Sequence, residues 1–115
     1  MRSINRTVII IKAKQPYVDW ANSFDDGEPP MKLEEFQQDA TAYLIPQFDY
    51  IEQSVKYIEK HYAEIFESEL ADWMTAPHLW PPKRTLKMFR KWFEVGICGM
   101  VIDMDKKPVL LEEYQ

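Results

Sequence analysis

The stretch DYIEQSVKYIEKHYAEIFESELADWM, residues 49–74, has the strongest periodic pattern in the chain. Its apolar side chains recur every three or four residues, which places them along one side of an α-helix. The members of this stripe are Ile51, Val55, Ile58, Tyr62, Ile65, Phe66, Leu70 and Trp73. Asp49 followed by Glu52 resembles a capping box, so the helix is expected to begin at Asp49. An amphipathic helix of this length needs an apolar surface to pack against, and the flanking sequence supplies one.

Three stretches on the two sides of this helix have the composition of β-strands. TVIIIKAK, residues 7–14, is rich in β-branched residues, and its lysines indicate that only one face is fully covered. EVGICGMVIDM, residues 94–104, is apolar on both faces, which predicts the central strand of the sheet. Residues 41–48 are expected to form a short strand at an edge, because Pro46 cannot donate a ladder hydrogen bond.

Shorter elements complete the predicted fold. Residues 31–38 and 82–93 have apolar side chains at helical spacing, whereas residues 17–30 are expected to form a loop. Residues 109–111 are expected to add a short strand or to lie across the surface. The sequence therefore predicts one α+β domain over residues 1–115, with a two-layer arrangement. A small sheet of about three strands carries one long and two shorter helices, packed mainly on one face.

The second face of such a sheet is not covered by its own helices. Val8 and Ile10 are expected on this face, together with one face of the strand at 94–104. Two copies that pair through this face or through a sheet edge would remove that apolar surface from water. The sequence therefore predicts a homodimer, and an unidentified protein partner is a further possibility.

The chain is also rich in tryptophan and tyrosine for its size. These residue types are enriched where two proteins meet. The tryptophans proposed for an interaction surface are Trp20, Trp73, Trp80 and Trp92. The alternative is an aromatic core, because each ring fills a large volume.

Basic side chains concentrate in the predicted helix at 82–93. The candidates for an anion-binding site are Lys83, Arg84, Lys87, Arg90 and Lys91. A basic helix near tryptophans is one way to bind nucleic-acid phosphates and bases. The net charge of −5 disfavours nucleic acid as a partner without excluding it. In the alternative interpretation, these residues only balance the acidic surface of the long helix.

A small metal-dependent enzyme is the third hypothesis. Asp19, Asp25, Asp103 and Asp105 follow two of the predicted strands. They would meet only if those strands were parallel, and their spacing matches no known cation loop. Nothing in the sequence resembles a phosphate-binding loop or a catalytic triad, so no cofactor is predicted, and an enzyme is the less favoured reading.

Cellular location follows from cysteine usage and hydropathy. The single cysteine, Cys98, rules out an internal disulfide, and no apolar run approaches the length of a membrane span of about 20 residues. We expect a cytoplasmic protein that has no signal peptide and no contact with a membrane. The leading hypothesis from the sequence is a non-catalytic, homodimeric interaction module.

Overall fold

The structure is a computed structural model that describes residues 1–24 and 26–113. Its elements are β1 (Arg2–Ser3), β2 (Arg6–Ala13), α1 (Gln15–Asn22), α2 (Leu33–Gln37), β3 (Thr41–Pro46), α3 (Ile51–Trp73), a 3-10 turn (Pro77–Leu79), α4 (Leu86–Trp92), β4 (Phe93–Cys98) and β5 (Ile102–Asp103). The predicted α+β class with two layers is confirmed. Helices pack on one face of a three-stranded sheet, and β1 and β5 form a separate two-stranded ribbon.

The sheet has the strand order β3-β2-β4, and both pairings are antiparallel. The strand predicted at residues 7–14 is therefore the central one, and the prediction of a central strand at 94–104 is wrong. That stretch forms the edge strand β4 and then, after an interruption at Gly99, β5. The apolar residues on its two faces are not explained by a central position in the sheet. Val95 and Ile97 pack against the helix layer, whereas Gly96 and Cys98 lie on a face that no helix of the described chain covers.

The core lies between the sheet and α3. Ile9 and Ile11 of β2 are almost completely buried, as are Phe66 and Leu70 of α3 and Phe89 of α4. The predicted apolar stripe of α3 is thus confirmed over its middle and C-terminal turns. Its first members are exposed, with Ile51 60% and Val55 41% accessible, because α3 extends beyond the core at its N-terminal end.

The start of α3 differs from the prediction by one residue. The capping interaction is made by Tyr50 and Gln53, because the Tyr50 N–H donates to Gln53 Oε1 at 3.0 Å. The predicted Asp49–Glu52 box is therefore wrong, although the geometry that it predicts is present one position later.

The region predicted as a loop at 17–30 begins as a helix. Pro16 lies in the first turn of α1, where a missing N–H has no helical partner, so it starts a helix as well as ending a strand. Tyr17, Val18 and Ala21 of α1 are buried. The predicted loop is present beyond α1, where Gly27 has a φ of +81°.

Helix α4 begins later than predicted, at Leu86 rather than Pro82. The hydroxyl of Thr85 accepts a hydrogen bond from the Met88 N–H at 3.1 Å and caps the helix. Residues 82–84 lie before the helix, so two of the predicted basic helix residues, Lys83 and Arg84, are not helical.

The β1–β5 ribbon projects from the domain. A hydrogen bond from the Ile4 N–H to the Val101 carbonyl, at 2.8 Å, continues the pairing from β2 and β4 into it. The radius of gyration is 15.8 Å, against about 13 Å for a compact domain near this size. Residues 109–111 form no strand and are exposed. None of the described helices is both long enough and apolar enough to cross a membrane.

Candidate functional site

One face of the three-stranded sheet carries apolar side chains that none of the described helices covers. Alternate residues of a strand point to opposite faces, so Val8 and Ile10 point away from the buried Ile9 and Ile11. The pairing places Val8 between Leu44 and Cys98, and Ile10 between Ala42 and Gly96. We call this surface, formed by Val8, Ile10, Ala42, Leu44, Pro46, Gly96 and Cys98, the open face.

The exposure of the open face matches its position. Leu44 is 55% exposed, and the thiol of Cys98 is also exposed. Val8 and Ile10 are partly shielded, but only by their neighbours within the sheet, since neither belongs to the core cluster. A contiguous apolar sheet surface in water is typical of a site that binds another molecule.

Charged side chains border the open face at both ends of β2. Arg6 lies at one end, and Lys12 lies at the other end opposite Glu94. Within the described residues Arg6 contacts no carboxylate, and its guanidinium donates to the side chain and carbonyl of Asn5. A two-fold axis that lies in the interface and runs across the strands would bring Arg6 of one copy opposite Lys12 of the other, with Glu94 of that copy one strand away.

A second unpartnered surface lies at the outer edge of β4. A groove of about 360 Å³ runs between β4 and the two helices α3 and α4. Its apolar lining comes from Val55, Ile58, Leu86, Phe89, Phe93, Val95 and Ile97, and its charged lining from Lys14, Glu59, Arg90 and Glu94. We call this surface the β4 groove.

The four tryptophans are half-buried and pack against the core. Three of them donate their indole N–H to a backbone carbonyl within the domain. The acceptors are Leu79 for Trp20 (3.3 Å), Ala21 for Trp73 (3.1 Å) and Met74 for Trp80 (2.7 Å). Trp92 contacts Trp20 and Phe66, at ring-centroid distances of 6.2 and 5.5 Å. The tryptophans therefore do not form one common surface, and most of their polar capacity is used internally.

The predicted anion-binding residues are divided by the structure. Arg84 bonds Glu67 of α3 at 2.8 Å and lies over the ring of Trp80, and Arg90 pairs with Glu59 of α3. Lys83, Lys87 and Lys91 are exposed, and no described carboxylate is within ion-pair distance of them. Two of the five basic residues thus balance the acidic long helix, as the alternative interpretation had it.

The structure does not bring the predicted metal-binding aspartates together. β2 and β4 are antiparallel, so Asp19 and the pair Asp103 and Asp105 follow opposite ends of the sheet. Asp19 accepts from Gln15, and Asp103 pairs with Arg2 at 3.0 Å. Asp25 lies outside the described residues. Among the residues that are described, no three His, Cys, Asp or Glu side chains are grouped so that they could hold a metal ion.

A buried carboxyl group, Glu69 of α3, lies outside the apolar stripe that the sequence predicts. Tyr43 donates to Glu69 Oε2 at 2.7 Å, the Thr41 hydroxyl lies 3.3 Å from Oε1, and Tyr17 donates to the Glu69 carbonyl at 2.6 Å. Burial raises the pKa of Glu69 above its ordinary value, and the negative charge of Asp72 adds to this. Burial likewise raises the pKa of Tyr17 and Tyr43.

The sequence does contain a signal for this buried carboxyl. Glu69 follows Ile65 by four residues and Phe66 by three, which places it beside the apolar stripe of α3. The cluster of Glu69, Tyr43 and Thr41 joins α3 to the edge strand β3, and its hydroxyl groups satisfy the carboxyl within the fold. The arrangement is that of a structural link between helix and sheet.

Comparisons with family models, with curated proteins and with solved structures give no match to this chain. The case for a function therefore rests on the geometry of the open face and the β4 groove.

Proposed function

We propose that the protein is a non-catalytic interaction module that acts as a homodimer through its open face. The observation that carries this proposal is the contiguous apolar surface around Val8, Ile10 and Leu44, on the side of the sheet that lacks helices. Two such faces can pack about 10 Å apart and turn two exposed sheets into the interior of a sandwich. A second copy is the proposed occupant, because a two-fold axis pairs this apolar face with itself.

The open face alone is smaller than an ordinary dimer interface. Three strands and six residues span about 14 by 20 Å, which is roughly 280 Å² in projection. A dimer interface of ordinary size buries about 800 Å² from each copy. The β1–β5 ribbon offers further apolar surface near one end of the face, since Met100 is 73%, Ile102 51% and Met104 79% exposed. We therefore expect the ribbon to contribute to the same interface.

A charge on the open face is expected to dissociate the dimer. Leu44→Lys places an ammonium group on the apolar contact beside Val8, where its desolvation opposes association. Sedimentation equilibrium should show a dimer of the unaltered chain at micromolar concentration and a monomer of the variant. Ile51→Lys is the matched control, because Ile51 is 60% exposed on α3, which packs on the other face of the sheet, and it should leave the dimer intact. An unaltered chain that is monomeric at every concentration would contradict the proposal.

The only cysteine of the chain provides a second measurement on the same surface. Cys98 is exposed on the open face, so dimerisation is expected to shield its thiol from a bulky maleimide reagent. The labelling rate should fall as protein concentration rises, and the Leu44→Lys variant should react quickly at all concentrations. A rate that is independent of concentration in a dimer shown by sedimentation would place the interface elsewhere.

An exposed thiol that has no partner suits a reducing compartment, and this supports the cytosol as the site of action. If another protein occupies the open face in the cell, the same Leu44→Lys substitution should abolish its binding.

A further inference from the structure

We infer that the β4 groove of one copy binds the C-terminal segment, residues 108–113, of a second copy as an added strand of the sheet. This inference goes beyond the proposed function, since the surface and the kind of contact are both different from those of the open face. It rests on the backbone of β4, on the shape of the groove and on the composition of the C-terminal segment.

The backbone of β4 has hydrogen-bonding groups that point away from the sheet. The Lys14 N–H donates to the Trp92 carbonyl at 2.8 Å, which sets the phase of the antiparallel ladder between β2 and β4. Bonded pairs alternate along such a ladder, so Glu94, Gly96 and Cys98 face β2. Val95 and Ile97 therefore direct their N–H and C=O groups outward, and no strand of the described chain pairs with them.

The helix layer extends past this edge. The side chains of Val95 and Ile97 face the helices and form one wall of the β4 groove, and Val55, Leu86 and Phe89 form the other. A strand added beside β4 would therefore satisfy the free backbone groups and place every second side chain in an apolar space that already exists. This combination of an open edge and a neighbouring groove is how many domains bind extended peptides.

The two edges of the sheet are protected differently. β3 carries Pro46, which cannot donate to a further strand. β4 contains neither proline nor lysine between residues 93 and 98. Natural edge strands that avoid pairing are usually blocked by such residues, so the β4 edge is the one open to an added strand.

The C-terminal segment fits this edge. It has no secondary structure, and its three consecutive aliphatic residues are exposed, Val109 by 64%, Leu110 by 86% and Leu111 by 94%. In an extended conformation Val109 and Leu111 point to one side and Leu110 to the other. The segment thus offers two aliphatic side chains at the spacing that the groove requires.

Charge selects the direction of the added strand. Docked antiparallel to β4, the segment places Val109 beside Ile97 and Leu111 beside Val95. Glu113 then lies at the Phe93 end of the groove, beside Lys14 and the Arg90–Glu59 pair. The same register puts Glu112 opposite Glu94, which is exposed to water. No described carboxylate pairs with Lys14, whose Nζ donates to the Arg90 carbonyl at 3.0 Å. The opposite direction would carry Glu113 away from both cations.

The donor is a second copy because the segment is held on the ribbon of its own chain. Arg2 Nη2 donates to the carbonyls of Asp105 and Lys107, at 3.2 and 3.4 Å, and Pro108 and Val109 lie beside residues 2–5. Docking in any groove moves Val109 away from residues 2–5. A second copy can accept residues 109–113 while Arg2 keeps its contacts to Asp105 and Lys107.

A labelled peptide with the sequence of residues 108–115 tests the inference, with binding to the full chain followed by fluorescence anisotropy. We expect saturable binding that shifts the amide NMR signals of Val95 and Ile97. Leu111→Ser in the peptide should weaken binding by about tenfold or more, because it removes a buried leucine. Leu110→Ser is the matched control and should change binding less than twofold. Lys14→Glu in the protein should weaken binding and reduce its dependence on salt.

Absence of binding would overturn the inference, as would equal effects of the two peptide substitutions or shifts confined to Val8 and Leu44. The Leu44→Lys protein separates this result from the proposed dimer. If that variant is monomeric only at concentrations below the dissociation constant of the peptide, and still binds the peptide, both proposals stand. A variant that binds the peptide but stays monomeric well above that constant would overturn the groove contact between copies. If the dimer forms but the peptide does not bind, only the groove interaction is ruled out. If the peptide binds but the chain never dimerises through the open face, only the proposed function is ruled out.

Discussion

Replacement of Phe66 by alanine is expected to lower the free energy of unfolding by about 3–5 kcal/mol. Phe66 is fully buried and stands where α3, α4 and β4 meet. Its ring lies 5.3 Å from that of Phe93, 5.5 Å from Trp92 and 6.0 Å from Phe89, measured between centroids. Removal of the ring leaves a cavity bounded by three other aromatic rings, which cannot collapse into it without losing their own contacts.

Urea denaturation followed by tryptophan fluorescence measures this effect. A domain of this kind is stable by about 5–15 kcal/mol, so the Phe66→Ala protein should unfold at a much lower urea concentration. Phe66→Leu keeps part of the volume and should lose less. Tyr50→Ala is the control, because Tyr50 is an aromatic residue that is 69% exposed. A loss below about 1 kcal/mol for Phe66→Ala would show that the junction of the three elements is not the centre of the core.

The role of Phe66 could be predicted from the sequence, and the limits of that prediction are informative. The three-and-four spacing placed Phe66 and Leu70 on the buried side of α3, where they are. The same spacing included Ile51 and Val55, which are exposed. Periodicity reports which side of a helix is apolar, but it carries no information on where the surface opposite that side ends.

Strand order was beyond the sequence for a related reason. An apolar stretch at 94–104 predicts apolar surroundings on both faces of the strand. It does not indicate how many strands pair with it. Pro16 shows the same ambiguity, because the ring that ends β2 is also suited to begin α1. The strand order and the start of α1 both depend on contacts between residues that are distant in sequence.

The candidate site was predictable in part. The strand pattern placed Val8 and Ile10 on the uncovered face, since the alternation of side chains is a local property. The β4 groove was not predictable, because it requires the pairing phase of β2 and β4 and the position of two helices. The burial of Glu69 was not predicted, because its hydrogen-bond partner Tyr43 lies on β3, which is distant from α3 in sequence.

Glu69 gives the second expected effect, a dependence of stability on pH. Burial holds the pKa of Glu69 above its ordinary value in the folded protein, whereas the unfolded chain has the ordinary value, near 4.5. Between these two pKa values the folded state binds more protons than the unfolded state. The free energy of unfolding must therefore fall as pH rises through this interval. The contribution is fully present below pH 4.5 and is lost as the pH passes the raised pKa of the folded protein.

Glu69→Gln is expected to remove this part of the pH dependence. A glutamine has the same shape, carries no charge to desolvate and can still bond the hydroxyls of Tyr43 and Thr41, each of which can donate or accept. The variant should therefore be at least as stable as the unaltered chain at neutral pH, and the difference should vanish in acid.

Urea denaturation at several pH values between 4 and 8 measures the free energy of unfolding of both proteins. Glu52→Gln, on the same helix with an exposed side chain, is the control and should follow the unaltered profile. A Glu69→Gln protein that is less stable at pH 7 than the unaltered chain would mean that the hydrogen bonds from Tyr43 and Thr41 to the ionised carboxylate outweigh its desolvation. In that case the link between α3 and β3 would depend on the charge of Glu69 rather than tolerate it.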